Sequence, residues 1–396
     1  MEASPSDLIR AYAGSFVEDD YDVVNEEYFA ELRATRDIVS DPSGWLDTYS
    51  RVQDSFSVRW PEGLDLQTYR VDDGGALRKS KEPIRKLLSA WEERDVHYDE
   101  FTLCGSATAG SLMALAMIRG LGIRTVVFES PAYYATLDQA RLLDMRCVRI
   151  PTYVADGFRF DFARTWLASD PLALWITHPR VSLGLDQDPA RCRELLGSLA
   201  PHDFLVVDEA TEQRFPSLLR HVAHHDQVIR IRNLFKPMGL NGPRLCVIMH
   251  SRTMRNAAEF AAATFGGPLD CFSLELAAQS AADIESFRGF LSIANAQTTE
   301  ARREAQRLLR GSGATLSELV NGYIGCAILD LQHRPGTRED NRRSFLEYCR
   351  SVRMPVILGS QMSFAFDPRY EHVRVNYFTR RENLKTGLLL IRDFLS

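Results

Sequence analysis

Residues 204–250 read FLVVDEATEQRFPSLLRHVAHHDQVIRIRNLFKPMGLNGPRLCVIMH. Three short apolar runs rich in β-branched side chains lie in this stretch, at 204–207, 228–231 and 245–248, and Asp, Asn, Gly or Pro bound them. Runs of this length between turn residues fit buried strands. Outward from here, similar runs occur at 125–128, 146–150 and 172–176, and Phe101-Thr102-Leu103 adds a further short one. Between Ser106 and Arg119 the apolar side chains fall at 112, 115, 116 and 118, a helical spacing that suits a crossover. Short buried strands alternating with amphipathic stretches predict an α/β fold of three layers, with a mostly parallel central sheet.

Beyond residue 290 the pattern changes. Residues 300–312 read as an exposed helix stopped at Gly311, followed by a strand over 323–331, a helix over 342–352, and strands over 354–358 and 372–378. This βαβ-like tail predicts a smaller C-terminal α/β domain over 291–396, after a large domain over 61–290. Residues 1–60 carry no long apolar run and suggest an arm that packs on the rest of the molecule or on a partner subunit.

Composition narrows the function. Lys and Arg number 47 against 53 Asp and Glu, a net charge of −6 without a basic block, which argues against nucleic acid as a partner. No stretch approaches the ~18 consecutive apolar residues of a membrane span. The start, MEASPSDLIRAYAG, lacks a basic region followed by an apolar run, so no membrane and no export are expected. Seven scattered cysteines with no CxxC pair speak against a disulfide framework or a thiolate zinc site and suit a reducing cytoplasm. His221, His224 and His225 lack a nearby cysteine or paired carboxylate, so they read as a solvated helix end and no metal is expected. Gly120-Leu121-Gly122 lacks the third glycine of a dinucleotide fingerprint and reads as a helix stop.

Lys236 lies just past a strand, in Asn233-Leu234-Phe235-Lys236-Pro237-Met238-Gly239, where open α/β sheets place ligands. A partly desolvated lysine there has a depressed pKa and can form a Schiff base with an aldehyde. A lone loop lysine is ordinarily a surface residue, so its partners decide. Asp208 ends a neighbouring strand, either as a helix N-cap or as a carboxylate that keeps a pyridinium nitrogen protonated. Gly105-Ser106-Ala107-Thr108 opens the crossover helix, whose N–H groups and hydroxyls suit an anion, and Arg244 offers a guanidinium to it.

Together these segments resemble fold-type I pyridoxal-phosphate (PLP) enzymes, specifically the class I/II aminotransferases, over roughly residues 65–396. The resemblance implies the three-layer PLP-transferase-like fold, pyridoxal 5'-phosphate as cofactor and a homodimer. It implies Lys236 as the Schiff-base lysine and Cα acid/base, and Asp208 on the ring nitrogen. Ser106, Ala107 and Arg244 would hold the phosphate, and Tyr69 would reach it from the other subunit. Tyr133, in Pro131-Ala132-Tyr133, stands where the family stacks an aromatic ring on the cofactor. Arg374 matches the arginine that binds the substrate α-carboxylate.

The sequence also departs from the family. His178-Pro179 replaces the usual Asn-Pro, Thr211 replaces a tyrosine, and Asn233 replaces a phosphate-binding serine. His178 is expected either to donate to the cofactor's phenolic oxygen or carry protons near neutral pH, or to be a satisfied structural histidine. The implied function is formation of an external aldimine with an amino-acid substrate and removal of its Cα proton. The likeness favours transamination. The changes at 178 and 211 pull toward β/γ-elimination, replacement or cyclisation in specialised natural-product biosynthesis. A silent PLP-sensing regulator would need a basic N-terminal winged helix, whereas the first 60 residues include EDDYDVVNEEYF.

Overall fold

The computed structural model describes residues 77–162, 171–222, 226–240, 242–318, 321–332, 334–352, 354, 356–359, 369–379 and 381–396. The arm over 1–60, Tyr69, His224 and His225 lie outside them.

Helix α1 (Arg78–Glu92) precedes strand β1 (Phe101–Cys104) and helix α2 (Ala107–Gly120). Strand β2 (Thr125–Glu129), helix α3 (Tyr134–Leu142), β3 (Arg146–Ile150), β4 (Leu172–Thr177), α4 (Pro189–Ser198), β5 (Phe204–Asp208), β6 (Val228–Asn233) and β7 (Cys246–Met249) follow. These strands form one sheet in the order β1-β7-β6-β5-β4-β2-β3. Strands β3, β2, β4, β5 and β6 run parallel, and β7 is antiparallel to both neighbours. The expected mostly parallel sheet is therefore present, with every sequence-predicted strand of this half in place.

Side chains along each strand alternate between two cores. Val206, Ile229, Ile231 and Trp175 pack with α2 on one face, while Leu205, Val207, Leu174 and Val228 pack on the other. Helix α2 comes very close to the sheet at Gly110. A β-carbon there would meet Cys246 Sγ at 3.0 Å, Ile231 Cγ2 at 3.2 Å and Cys104 Sγ at 3.3 Å. All three neighbours are fully buried, so they have little room to give. Gly110→Val is therefore expected to destabilise the fold by about 1–3 kcal/mol, the usual cost of overpacking. A thermal unfolding midpoint equal to that of the parent protein would disprove the close approach.

The chain continues through α5 (Arg255–Ala261), α6 (Cys271–Ala282) and the 26-residue helix α7 (Ile284–Leu309). Strand β8 (Ala314–Leu316), β9 (Ile324–Asp330), helix α8 (Arg338–Ser351), β10 (Tyr370–Asn376) and helix α9 (Arg381–Leu395) complete it. Asp283 caps α7 by accepting from the Ser286 N–H at 3.0 Å. The expected exposed helix at 300–312 is the end of this longer one, and Ala301, Ala305 and Leu309 are buried against the small sheet. Farther up the same helix, Phe287, Leu291 and Ala294 belong to the core that contains α1 and the segment around Lys236. Residue 290 thus falls inside a helix shared by two cores.

The C-terminal sheet also differs in detail from expectation. Its order is β10-β9-β8, and the pairings among the described residues are antiparallel. Leu358 also bridges antiparallel to β10, so the stretch around it runs parallel to β9 with β10 between them, and the path from β9 through α8 to Leu358 is βαβ-like. The strand expected at 354–358 is reduced to a single bridge between Leu358 and Val373. Pro355 in that run has no N–H to donate to a ladder.

Candidate active site

Strands β4, β5 and β6 bring their carboxyl ends together, with Thr177 paired to Asp208 and Asp208 to Ile231. Just past β6 the chain turns through Phe235 into a short helical turn over Lys236–Met238. Asn233 builds this turn, because its Oδ1 accepts from the N–H of Phe235 at 2.9 Å and of Lys236 at 2.7 Å. Asn233 thereby sets the direction of Lys236, a role its sequence reading as a phosphate donor did not include.

Lys236 is half-buried and Asp208 is buried. Burial pushes the Lys236 ammonium below its ordinary value, and the Asp208 charge partly offsets this. Burial likewise pushes the Asp208 carboxyl up, opposed by its hydrogen bond from Ala210 and by the Lys236 charge. An amine and a carboxyl that each feel the other's charge in a desolvated site are the feature expected of a Schiff-base lysine and its ring-nitrogen partner. Asp208 Oδ1 accepts the Ala210 N–H at 3.0 Å, but a turn rather than a helix follows, so Asp208 is not a helix N-cap.

Ser106 caps α2 by accepting from the Ala109 N–H at 3.0 Å, which leaves its hydroxyl hydrogen available. Tyr133 precedes α3 and is half-buried. Burial raises its phenol, which hydrogen-bonds Thr108 and lies within range of the Asp208 charge. The structure therefore brings Ser106, Ala107, Thr108, Tyr133, Asp208 and Lys236 to one edge of the sheet. Arg244, on the same side of β7, has an exposed side chain, and its N–H donates to Ser273 Oγ at 2.9 Å.

Arg374 lies on β10, half-buried, with its N–H donated to Ile357 O at 2.9 Å. Burial pushes its guanidinium down to about 10. Just after β10, Phe378 stacks on Tyr323 at 4.4 Å between ring centroids, inside the core that holds Leu234 and Phe235. The end of the strand that carries Arg374 thus packs into the same core as Leu234 and Phe235, the two residues before Lys236.

Of the two readings the sequence left open for His178, the structure shows the geometry of a satisfied structural histidine. Its ring is fully buried, Nδ1 accepts the Gln187 N–H at 3.1 Å, and Nε2 lies 3.2 Å from Glu212 Oε1. Both ring nitrogens have partners within the protein. Thr211 is half-buried beside Gly322, whose φ is +72°. A β-carbon on Gly322 would fall 2.9 Å from Pro179 Cγ and 3.2 Å from Thr211 O, so the backbone of this segment is packed between the two positions where the family motif is lost.

Sequence reasoning missed a cluster of buried charges behind the site. Arg230 donates to Glu209 Oε2 at 2.9 Å and Oε1 at 2.7 Å, and it also pairs with Glu92. Arg232 donates to Glu92 at 2.9 Å, Glu209 at 2.9 Å and Glu212 at 3.1 Å, and its guanidinium lies 4.3 Å from the Trp91 ring centroid. All five charged side chains are 2% exposed or less. The signal was present in Val228-Ile229-Arg230-Ile231-Arg232, since two arginines at period two in a buried strand require carboxylates on the same face. Asp208 and Glu209, consecutive in sequence, point to opposite faces by the same alternation.

No family model matches the chain, and no curated protein sequence matches it. Solved structures do. An aspartate aminotransferase double mutant from Thermus thermophilus matches with a TM-score of 0.73 at 16% identity, covering 94% of this chain and 95% of its own. An aromatic aminotransferase from Pyrococcus horikoshii matches with a TM-score of 0.69 at 17% identity, covering 90% and 97%. The Escherichia coli protein YbdL, for which a methionine aminotransferase function is described, matches with a TM-score of 0.73 at 14% identity, covering 94% and 98%. At such low identity the likeness is one of architecture, and it extends over nearly the whole of each chain. The chain has the fold shared by these aspartate, aromatic and methionine aminotransferases, which is the fold-type I architecture its sequence resembles.

Proposed function

We propose that the protein is a PLP-dependent enzyme that transaminates an amino-acid substrate. The observation that carries this reading is the Lys236–Asp208 pair, desolvated and electrostatically coupled at the carboxyl ends of parallel strands. The donor set fits the cofactor. Asp208, with its raised proton affinity, suits the ring nitrogen, Lys236 suits the aldehyde carbon, and the capped N-terminus of α2 with the Ser106 hydroxyl suits the phosphate. Bound pyridoxal phosphate supplies an electron sink for the charge left when a bond at the substrate Cα is broken.

The chain's own groups then have distinct tasks. Lys236 Nζ, displaced by the substrate amine, takes the Cα proton and delivers it onward. Tyr133 covers one face of the ring, and Arg374 receives the substrate α-carboxylate as a bidentate partner. Ala107 and Arg244 complete the phosphate site, and in a homodimer Tyr69 reaches it from the partner subunit. Arg374→Ala is expected to raise KM for an amino acid about 10–150-fold, the worth of a hydrogen-bonded charge, with a smaller change in kcat. An unchanged KM would place the carboxylate elsewhere.

One observation favours a second reading, an elimination, replacement or cyclisation of the kind found in specialised biosynthesis. The family's asparagine and tyrosine, which donate to the phenolic oxygen, are His178 and Thr211 here, and the His178 ring nitrogens have partners within the protein. The deciding experiment mixes the protein with single amino acids and follows its absorbance and its products. Conversion to the pyridoxamine form with release of a 2-oxo acid means transamination. Release of ammonia or another leaving group without that conversion means elimination or replacement. No spectral response to any amino acid would reject both.

A further inference from the structure

Behind the candidate site runs a continuous belt of buried polar groups, from β2 across β4 and β5 to β6. At one end the Glu129 carboxylate, at the end of β2, pairs with Arg180 Nε at 3.0 Å and with the Gln187 side chain. Gln187 Nε2 also donates to Thr177 O at 3.0 Å, and its peptide N–H donates to His178 Nδ1 at 3.1 Å. At the other end are Arg230 and Arg232 with Glu92 and Glu209. His178 and Glu212 join the two halves.

Glu212 is the hub of this belt. Besides His178 Nε2 at 3.2 Å, its carboxylate accepts from the Leu218 N–H at 3.0 Å, the Ser217 hydroxyl at 3.4 Å and Arg232 Nη2 at 3.1 Å. Four donors from three places in the chain meet on one fully buried carboxylate. His178 is constrained from both sides. An N–H aimed at Nδ1 requires a lone pair there, so the ring proton sits on Nε2 and is donated to Glu212. A second proton on Nδ1 would face the Gln187 N–H, donor against donor. The charged groups facing the ring are Glu212 and Glu129, and each is itself paired, with Arg232 and with Arg180. The peptide N–H of His178 donates at 2.7 Å to the carbonyl of Asp208.

We infer that Glu212 is a positioning residue. It holds His178 as the neutral, Nε2-protonated tautomer and, through the His178 peptide group, fixes the strand end that presents Asp208 to the cofactor. The consequence for Asp208 rests on the reading proposed above, whereas the tautomer does not. With its ring held between Gln187 and Glu212 and its peptide N–H on the Asp208 carbonyl, His178 ties the end of β4 to the end of β5.

The test uses full-length protein carrying ¹⁵N-labelled histidine, with and without pyridoxal phosphate. The His178 ring nitrogens should report the neutral Nε2–H form. An Nδ1–H form, or a ring protonated on both nitrogens, overturns the inference, and this measurement needs neither a variant nor the cofactor. In Glu212→Gln, the amide cannot both accept from His178 and face Arg232 without placing a donor against a donor. The ring should then mix tautomers. The pH midpoint of the colour of the cofactor bound at Lys236 should move by about half a unit or more. A folded, cofactor-loaded Glu212→Gln protein whose midpoint is unmoved would reject the link to Asp208. Wild-type protein that takes up no cofactor would reject the proposed function and still leave the tautomer to be read.

Discussion

Lys236→Ala protein is expected to lose turnover by about 10³-fold or more and to carry no cofactor that borohydride can fix to the chain. The size of the effect follows from two roles placed on one atom. Lys236 Nζ is the only amine that the structure, among its described residues, couples electrostatically to Asp208. It would be both the covalent anchor of the cofactor and the base at Cα. Lys81, another buried lysine, cannot substitute, because its Nζ donates to Phe101 O at 3.2 Å and lies over the Phe101 ring. Mass spectrometry of peptides after borohydride reduction reads the attachment directly. A reducible attachment that persists in Lys236→Ala protein would refute the assignment.

The positions of Lys236 and Asp208 were legible because each follows a strongly apolar run, and such runs report burial directly. The capped start of α2 was legible for a similar reason, since a small-residue turn before a periodic segment marks a helix N-terminus. For His178 two readings stayed open because its place in the sequence, beside a proline at a strand end, gives its location but not the direction of its ring. That direction is set by Glu212 and Gln187, which lie 34 and 9 residues away. The small sheet was legible in part. The burial of β9 and β10 was readable, but their antiparallel pairing depends on the path taken between them. The second half of α7 looked exposed because alanines 301 and 305 are small and flank charged residues, although they pack closely on the C-terminal core.

Arg232→Met is expected to destabilise the protein by about 3–5 kcal/mol, the cost of leaving a buried ion network without one partner. With Arg232 gone, Glu92, Glu209 and Glu212 would share Arg230 alone, in a region where none of the three can reach water. An exposed pair such as Arg288 with Glu285 gives the scale for comparison, since Arg288→Ala should cost no more than about 1 kcal/mol. The midpoint of denaturant unfolding in the two variants separates these cases, and equal midpoints would mean that the cluster is electrostatically inert. The pH dependence carries a sign as well. Burial acts to raise the Glu212 carboxyl, yet His178, first by its hydrogen bond and then electrostatically, and after it the charges of Arg232 and Arg230 hold it down to about 2. A carboxyl lowered on folding contributes its full stability above about pH 4.3 and loses it as the pH falls toward 2. Arg232→Met removes part of what holds that value down, so the variant should be relatively more damaged at pH 7 than at pH 3. The same substitution should also weaken cofactor binding, because Arg232 lies four residues before Lys236 and its partner Glu209 directly follows Asp208. A variant that was destabilised but kept full cofactor affinity would show that the cluster supports the sheet without orienting the site.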